Sequence, residues 1–530
     1  MLKRKWFLYI TEFFAGISVM AIELGASRLL APYFSSSQIV WTIIIGTIMI
    51  AMALGNILGG RMADKNPDPD RLYLRLLVVA AWCAAIPFAG KYIIAGVSLA
   101  LAALGGQNFL IWASLLSCLL IFVFPLMLLG TVSPSLVKYT VKNLGESGRT
   151  VGELNALNTI GSIIGTFLPT FVTIPAVGTA WTFIIFAGVL LAISLIYFIV
   201  ERRKFIRCAI ALVLSVAFAV LASFNSFAFW SGEGENVYED ESIYNYLQVT
   251  ETDETVTLST NVMFGVQSIT RKDGRLTGMY YDYALAAPIM AGAAEKDHIN
   301  ILILGFGSGT YAMQCRKYFP ACRIDGVEID GKIIDLAYSR FGLDAEDENI
   351  EVVEFDGRAY LRGAGKYDVI MVDAYRDITI PFQMSSAEFF EEVKEHLADD
   401  GVMVVNLNMR SENEGSINDY LCDTIRSVFP SVKYTDISTN REVFAAKGEA
   451  PFDRFSKDLY SFPSDLAGLM NTVKGKLTVC DEGDLILTDD KAPVELLGMK
   501  VIDEIISDEL DYYRDLFKGK SLIEIIRSLG

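Results

Sequence analysis

The pattern of apolar and polar residues changes character near residue 230. Before that point, long apolar runs alternate with short clusters of charge; after it, short apolar runs alternate with charged stretches of helical period. Seven long runs each approach the ~20 residues that a helix needs to cross a bilayer. They cover residues 6–24, 39–60, 72–90, 109–132, 155–177, 180–200 and 205–225. We therefore expect a transmembrane helical domain over residues 1–230.

A shorter apolar piece, 92–104, lies between the third and fourth runs and is compatible with an interfacial or re-entrant segment. Clusters of Lys and Arg fall on one side of the membrane if this piece does not cross. The positive-inside rule makes that side cytoplasmic and starts the N-terminus inside. Seven crossings would then carry the C-terminal part outside. An eighth crossing at 92–104, or an in-plane 205–225, would return it to the cytosol.

Small and ionisable residues stand out within the runs. Gly55 with Gly59, and Gly161 with Gly165, form GxxxG pairs that predict close helix packing. Glu12 lies deep enough in the first run to demand a polar partner. The stretches GGRMADK and GRTVGELNALNTIGSIIGTFLP resemble helices of major facilitator transporters. Six such helices make half a transporter, and alternating access needs two halves. A membrane anchor, a lipid-facing substrate entry and a homodimer scaffold stay open.

The second half predicts two further parts. Residues 231–290 begin with an acidic linker and then alternate apolar and polar residues around a Lys272-Asp273-Gly274 turn, which predicts a small β-rich subdomain. Over 291–530, five short apolar segments separated by helical stretches predict buried parallel strands: INILILG, CRIDGVEI, IEVVEF, YDVIMVD and GVMVVNL. That order predicts a doubly wound, Rossmann-like α/β sheet.

Charge and composition exclude several classes of function. The net charge of −18 resides mostly in the C-terminal part and argues against a nucleic-acid partner, which needs basic surface. The chain has two histidines and no CxxC pair, which argues against a zinc site and a His-based triad. We therefore expect no metal.

Acidic residues follow three successive predicted strands, beside a glycine loop. The first strand runs into Gly305-Phe306-Gly307-Ser308-Gly309-Thr310, and Glu328, Asp356 and Asp373 follow the next three strands. Ligands of open α/β sheets bind outside these carboxyl ends. Glu328 can accept hydrogen bonds from the ribose hydroxyls, and Asp356 can accept one from the adenine amine. Each acid alone is more often a helix cap or a solvated charge, but together they predict a nucleoside site. The loop lacks the third glycine of GxGxxG, so an S-adenosyl ligand fits better than NAD.

From about Tyr244 to Glu495 the chain resembles the polyamine aminopropyltransferases, or spermidine synthases, and especially their membrane-fused branch. The matching segments are LILGFGSGTY, GVEID, FDGRAYL, YDVIMVDAYRD, IPFQMSSAEFF and LTDDKAPVE. This resemblance implies a methyltransferase/spermidine-synthase type of sheet. It also implies transfer of an aminopropyl group from decarboxylated S-adenosylmethionine to a polyamine or other small amine. Methylthioadenosine would be the second product.

The resemblance also implies roles for particular residues. Asp373 would orient or deprotonate the attacking amine, and Tyr280 would lie near both substrates. The implied donor-binding residues are Gly305, Gly307, Ser308, Gly309, Glu328, Asp356 and Gly357. The implied amine-binding residues are Gln267, Tyr281, Asp282 and Asp377.

Two positions depart from the soluble members of this family and keep other functions open. Ser308 stands where those enzymes have an aspartate that binds the aminopropyl ammonium, and Arg376 stands where they have a second aspartate. Arg376 would tolerate the carboxylate of intact S-adenosylmethionine, so a methyltransferase acting on a lipid or amphiphile is one alternative. A non-catalytic membrane protein that senses a nucleoside is another. Supply of the donor favours a cytosolic catalytic domain, whereas charge counting favours an external one.

Overall fold

The computed structural model describes residues 5–104, 108–141, 147–224, 234–260, 266–375, 380–408, 411, 413–457 and 459–501. The chain separates into two compact units, one built mainly from residues 1–230 and the other mainly from 264–530. Each unit is described by itself below.

The first unit is helical. Its helices are α1 (Lys5–Phe34), α2 (Gln38–Lys65), α3 (Pro69–Leu104), α4 (Phe109–Gly130), α5 (Val132–Thr140), α6 (Ser147–Leu168), α7 (Ile174–Glu201) and α8 (Phe205–Ser223). Among the described residues, six helical stretches are long and apolar enough to cross a membrane by length and composition. These stretches bear out the expected helical, apolar character of this region.

Two boundaries differ from the predicted ones. The pieces 72–90 and 92–104 belong to one helix, α3, so 92–104 is not a separate element. Apolar residues continue on both sides of Gly90 and Lys91, and nothing there stops the helix. The predicted runs 155–177 and 180–200 form one 55-residue stretch, 147–201. It contains a π-helical turn at Pro169–Thr173 and a break at Gly178, whose φ is +78°.

The predicted glycine pairs mark close helix contacts. A Cβ at Gly161 would lie 2.1 Å from the carbonyl oxygen of Phe13, and one at Gly165 would lie 2.3 Å from that of Ile17. Both glycines therefore let α6 approach the backbone of α1 closely. Glu12 of α1 is buried and accepts hydrogen bonds from Asn158, at 2.9 Å, and from Ser133. The expected polar partners are present.

A four-stranded sheet corresponds to the predicted β-rich subdomain. Its strands lie in the order β1 (Glu235–Glu241), β2 (Tyr246–Glu251), β3 (Thr255–Thr260) and β4 (Ser268–Arg271). Strands β2, β3 and β4 pair antiparallel. β4 contacts the end of the glycine loop at residues 305–310. The hydroxyl oxygens of Thr270 in β4 and of Thr310 lie 2.6 Å apart, within hydrogen-bond distance.

The larger sheet has eight strands. Its parallel part comprises β5 (Ile299–Leu304), β6 (Cys322–Glu328), β7 (Ile350–Glu354), β8 (Tyr367–Val372) and β9 (Leu397–Leu407). These are the five predicted strands. An antiparallel extension comprises β10 (Ser431–Ile437), β11 (Asn440–Ala446) and β12 (Thr478–Val479). The strand order is β12-β10-β11-β9-β8-β5-β6-β7.

Short helices connect and cover these strands. They are α9 (Tyr280–Ala284), α10 (Ala286–Met290), α11 (Thr310–Tyr318), α12 (Gly331–Ser339), α13 (Gly357–Leu361), α14 (Ala387–His396), α15 (Ile417–Val428), α16 (Ala450–Phe455) and α17 (Ser464–Lys476).

One face of the larger sheet is apolar until its strands reach the carboxyl edge of the parallel part. On that face the buried residues are Val369 and Met371 of β8, Val402 and Val404 of β9, and Phe444 and Ala446 of β11. Side chains alternate along a strand. The next residue of this face on each strand is therefore Asp373, Asn406 or Glu442 respectively. β11 contributes to this edge because it runs antiparallel to β9 and begins where β9 ends.

We expect Gly165→Ala to destabilise the helical unit, because the added methyl group would force α6 away from the Ile17 backbone. Overpacking of this kind costs about 1–3 kcal/mol. The thermal unfolding midpoint in detergent should fall by several degrees. Gly152→Ala on the same helix is the control, because a Cβ there meets no atom within 4 Å. Equal midpoints for the two variants would contradict the close α1–α6 contact.

Candidate active site

Asp373 occupies the carboxyl end of β8, and each of its oxygens accepts a hydrogen bond. The hydroxyl of Tyr280 donates to Oδ2 at 2.6 Å, and the side-chain amide of Asn406 donates to Oδ1 at 2.8 Å. Burial raises the pKa of Asp373 to about 7, and the charge of Glu328 contributes to the rise. The two hydrogen bonds act in the opposite direction by stabilising the ionised form. A carboxyl group that titrates near neutrality can accept a proton and release it again.

Tyr280 and Tyr281 begin α9, and their hydroxyl groups have different hydrogen-bond partners. Burial, with the charge of Asp373, holds the pKa of Tyr280 well above its usual value, so the phenol stays protonated and donates. Tyr281 packs against Tyr280, with ring centroids 4.3 Å apart. Its hydroxyl accepts from the backbone N–H of Ile269 at 2.9 Å and thereby ties α9 to β4. Tyr281 supports the position of Tyr280.

Asp282 contacts the turn before α9. Its Oδ2 accepts from the N–H of Gly278 at 2.6 Å and from the hydroxyl of Thr277 at 3.1 Å. Burial raises the pKa of Asp282 to about 6. Its hydrogen bonds therefore fix this turn and do not join it to Asp373. Gln267 precedes β4, and its backbone N–H donates to Leu258 at 2.8 Å.

Two side-chain amides that the sequence prediction did not identify, those of Asn406 and Asn440, form a hydrogen-bonded chain that ends at Asp373. Asn406 ends the apolar run of β9 and is buried. Its Oδ1 accepts from the side-chain amide of Asn440 at 2.8 Å, so its Nδ2 is turned towards Asp373. The hydroxyl of Tyr375 donates to the carbonyl of Asn406 and accepts from the N–H of Asn408 at 2.8 Å. Polar residues directly after the apolar segment 402–405 were the available signal for Asn406 and Asn408.

The glycine loop lies against both Asp373 and Glu328. Gly305 has a φ of +88°, and a Cβ there would lie 2.5 Å from the carbonyl oxygen of Asp373, so both the conformation and the space require glycine. The N–H of Gly307 donates to Oε2 of Glu328 at 2.9 Å. Ser308 is fully buried, and its hydroxyl lies 3.1 Å from that of Thr310. Gly309, at φ +79°, precedes the first residue of α11.

Glu328 ends β6 and is nearly buried. Besides Gly307, it accepts from the N–H groups of Ile329 at 3.0 Å and Asp330 at 3.2 Å, both through Oε1. Burial raises its pKa, whereas the backbone N–H groups oppose that rise. These contacts hold the carboxylate beside the glycine loop.

Asp356 and Gly357 follow β7 at the next strand end. Oδ1 of Asp356 accepts from the N–H of Ala359 at 2.8 Å, so this exposed residue caps α13. The helix cap noted as its alternative role is therefore present. Gly357 packs close to Leu304 and Met384. Asp377 and Arg376 lie outside the described residues.

The structure thus brings Asp373 and Tyr280 into direct contact and sets Glu328 beside the same loop. Asp373 follows β8 and Asp356 follows β7, three strands away. Both lie on the same edge, because the strands β8-β5-β6-β7 are parallel throughout. The functional roles of all these residues stay predictions. Among the described residues, no group of three or more His, Cys, Asp or Glu side chains is arranged to hold a metal ion.

An ion-pair network, also missed from sequence, anchors the segment after Asp356. Arg358 is buried and bonds Glu392 at 2.9 Å and Asp489 at 2.7 Å. Asp489 also accepts from the hydroxyl of Ser386 at 2.5 Å, which caps α14. This network ties the segment LTDDKAPVE to the helix that Asp356 begins.

The chain is similar to known proteins over this region and beyond it. Residues 286–440 match the model of the spermine/spermidine synthase domain. A probable polyamine aminopropyl transferase of Bifidobacterium longum is 49% identical over 359 residues, covering 64% of this chain and 78% of that protein. A polyamine aminopropyltransferase of Vibrio vulnificus is 28% identical, covering 53% of this chain and 97% of that protein.

Among solved structures, a probable spermidine synthase from Corynebacterium glutamicum is similar over 48% of this chain and 99% of its own. The TM-score is 0.35 and the identity 16%. The level of identity to the Bifidobacterium longum protein, over more than two thirds of its length, establishes the relationship. The chain is a transferase that belongs to the spermine/spermidine synthase family of polyamine aminopropyltransferases.

Proposed function

We propose that the chain transfers the aminopropyl group of decarboxylated S-adenosylmethionine to an amine and releases methylthioadenosine. The observation that carries this proposal is the environment of Asp373. Its carboxyl group is held by Tyr280 and Asn406 and has a pKa of about 7. Such a group can take the proton that an attacking amine must lose.

The reaction requires alignment and one proton transfer. The lone pair of the neutral amine forms a bond to the aminopropyl carbon, and the carbon–sulfur bond breaks with its electrons passing to sulfur. The positive sulfur of the donor thereby becomes the neutral thioether of methylthioadenosine. Ionised Asp373 accepts the proton from the attacking nitrogen. Tyr280 and Asn406 hold the carboxylate in position for this step.

The remaining predicted residues suit the donor. Glu328 would accept the ribose hydroxyls, and Asp356 with Gly357 would contact the adenine. Gly305, Gly307, Ser308 and Gly309 would let the backbone approach the donor closely, with the N-terminus of α11 behind them. Gln267, Tyr281, Asp282 and Asp377 would contribute to the amine side. In this scheme Tyr281 and Asp282 act through the position of Tyr280 and the turn before it.

The domain assignment is part of the same proposal. Residues 1–230 would anchor the enzyme in the membrane, residues 231–290 would form the β-rich linker domain, and residues 291–530 would carry out catalysis. A lipid-facing entry and a homodimer built on the spans are compatible with this division. Donor supply favours a catalytic domain in the cytosol.

We expect the purified protein to release methylthioadenosine when given decarboxylated S-adenosylmethionine and an amine. Asp373→Asn should lower kcat by about 10²–10⁴-fold, the usual contribution of a general base. Methylthioadenosine affinity should be retained. Release of S-adenosylhomocysteine from S-adenosylmethionine would instead indicate a methyltransferase, and binding without turnover a sensor. Full turnover by Asp373→Asn would exclude Asp373 as the base.

The rate should depend on pH through Asp373. The base must be ionised, so kcat/KM should rise as pH increases through about 7. Tyr280→Phe removes a hydrogen bond that stabilises the ionised form, so the rising limb should move to higher pH. Tyr367→Phe is the control, because Tyr367 lies at the opposite end of β8 and its hydroxyl donates to Asp325 at 2.7 Å. A limb at the same pH in wild type and Tyr280→Phe would contradict this coupling.

Glu328 can be tested through the ribose alone. The wild type should bind methylthioadenosine more tightly than its 2′-deoxy analogue, by roughly 10-fold for a charge-assisted hydrogen bond. Glu328→Gln should bind both ligands with nearly equal affinity in calorimetry. Glu351→Gln, an exposed acid on neighbouring β7, should preserve the difference. An undiminished preference in Glu328→Gln would place the ribose elsewhere.

A further inference from the structure

Glu442 is a buried acid that the sequence prediction did not identify. It lies on β11 with 0% of its surface exposed. Among the described residues, neither of its carboxylate oxygens has a hydrogen-bond partner. A buried ionised carboxylate without a partner is costly, and proteins ordinarily pair such groups or neutralise them. The packing of the domain therefore does not explain why an acidic residue is buried at position 442.

The strand register places Glu442 on the same face and edge of the sheet as Asp373. Val372 pairs with Val405 across β8 and β9, and Glu442 pairs with Asn406 across β9 and β11. Asp373, Asn406 and Glu442 therefore follow one another across the edge of one face. Two strand spacings, roughly 10 Å between backbones, separate the first acid from the last.

Charge interactions agree with this placement. Burial, with the charge of Asp373, raises the pKa of Glu442 well above its usual value. Burial is the main cause that raises the pKa of Tyr280, Tyr311 and Tyr375, and the charge of Glu442 adds to each rise. Glu442 therefore interacts electrostatically with one further acid and three phenols. The repulsion between the two acids favours a cation beside them.

We propose that Glu442 binds a primary alkylammonium group in the active site, beside the amine that reacts at Asp373. This proposal rests on the proposed function and names a contact for its cationic substrates. A charged amino group would supply the partner that both oxygens of Glu442 lack, and it would offset the repulsion from Asp373. The ammonium belongs either to the far end of a linear diamine acceptor or to the aminopropyl end of the donor.

Glu442→Gln removes the charge with little change in shape and separates the two sources. If the acceptor supplies the ammonium, its KM should rise about 10-fold or more, as expected for loss of a charge-assisted hydrogen bond. The KM of the donor should then stay within twofold. If the donor supplies the ammonium, the KM of the donor should rise about 10-fold or more, and the KM of the acceptor should stay within twofold. Glu449→Gln is the matched control, because Glu449 pairs with Lys433 at 3.0 Å outside the site.

A binding measurement keeps this test independent of turnover. The full-length protein in detergent, saturated with methylthioadenosine, is titrated with 1,4-diaminobutane; a separate titration uses decarboxylated S-adenosylmethionine. Methylthioadenosine affinity checks the fold of each variant, and Glu442→Met provides a second, apolar replacement. Weaker binding of either cation by both variants, with methylthioadenosine binding intact, supports the proposal.

The outcomes distinguish the two proposals. Cation affinities within twofold of wild type in both Glu442 variants would overturn the role of Glu442, even if the enzyme transfers aminopropyl groups. Failure of the wild type to bind either cation would overturn it as well. Binding that depends on Glu442, without release of methylthioadenosine, would overturn the proposed function and leave the ammonium contact standing.

Discussion

The active-site edge depends on the removal of one carboxyl group, that of Asp373, from water. Burial alone would favour its neutral form, and the hydrogen bonds from Tyr280 and Asn406 counter that tendency. The balance between these effects sets a pKa of about 7. A stronger desolvation would leave no base at neutral pH, and stronger hydrogen bonding would leave a base too weak to take a proton from an ammonium-forming nitrogen.

This balance needs residues far apart in the chain to meet at one place. Tyr280 comes from a short helix before the sheet, Asp373 from the end of β8 and Asn406 from the end of β9. Gly305 admits the backbone of Asp373 next to the first loop, because any side chain there would collide with it. The parallel strands bring their carboxyl ends to one edge, and antiparallel β11 adds its own beginning to that edge.

The edge also has a consistent electrostatic character. Asp373, Glu328 and Glu442 are acids with raised pKa values, and burial is the main cause for each. Such a site repels anions and is stabilised when cations enter it. The two substrates of an aminopropyltransferase reaction are cationic, so their binding would relieve the repulsion between these acids.

The sequence by itself determined the elements whose signal is local. Long apolar runs predicted the helical region, and short apolar runs predicted the five parallel strands, because burial on both faces leaves continuous apolar segments. The switch-point rule then predicted that Glu328, Asp356 and Asp373 share an edge. The sequence did not identify β10, β11 and β12, which follow the fifth predicted strand and pair antiparallel.

Only the tertiary structure decided which polar groups meet. Asn406, Asn440 and Glu442 carry no motif, and their spacing along the chain does not indicate that they lie together near Asp373. Asp282, adjacent to the tyrosine pair, bonds the preceding turn, and its role on the amine side stays a prediction. The physical reason is that strand pairing and side-chain direction are fixed by long-range packing. A run of residues specifies its own helix or strand, but its contacts depend on segments that lie a hundred residues away.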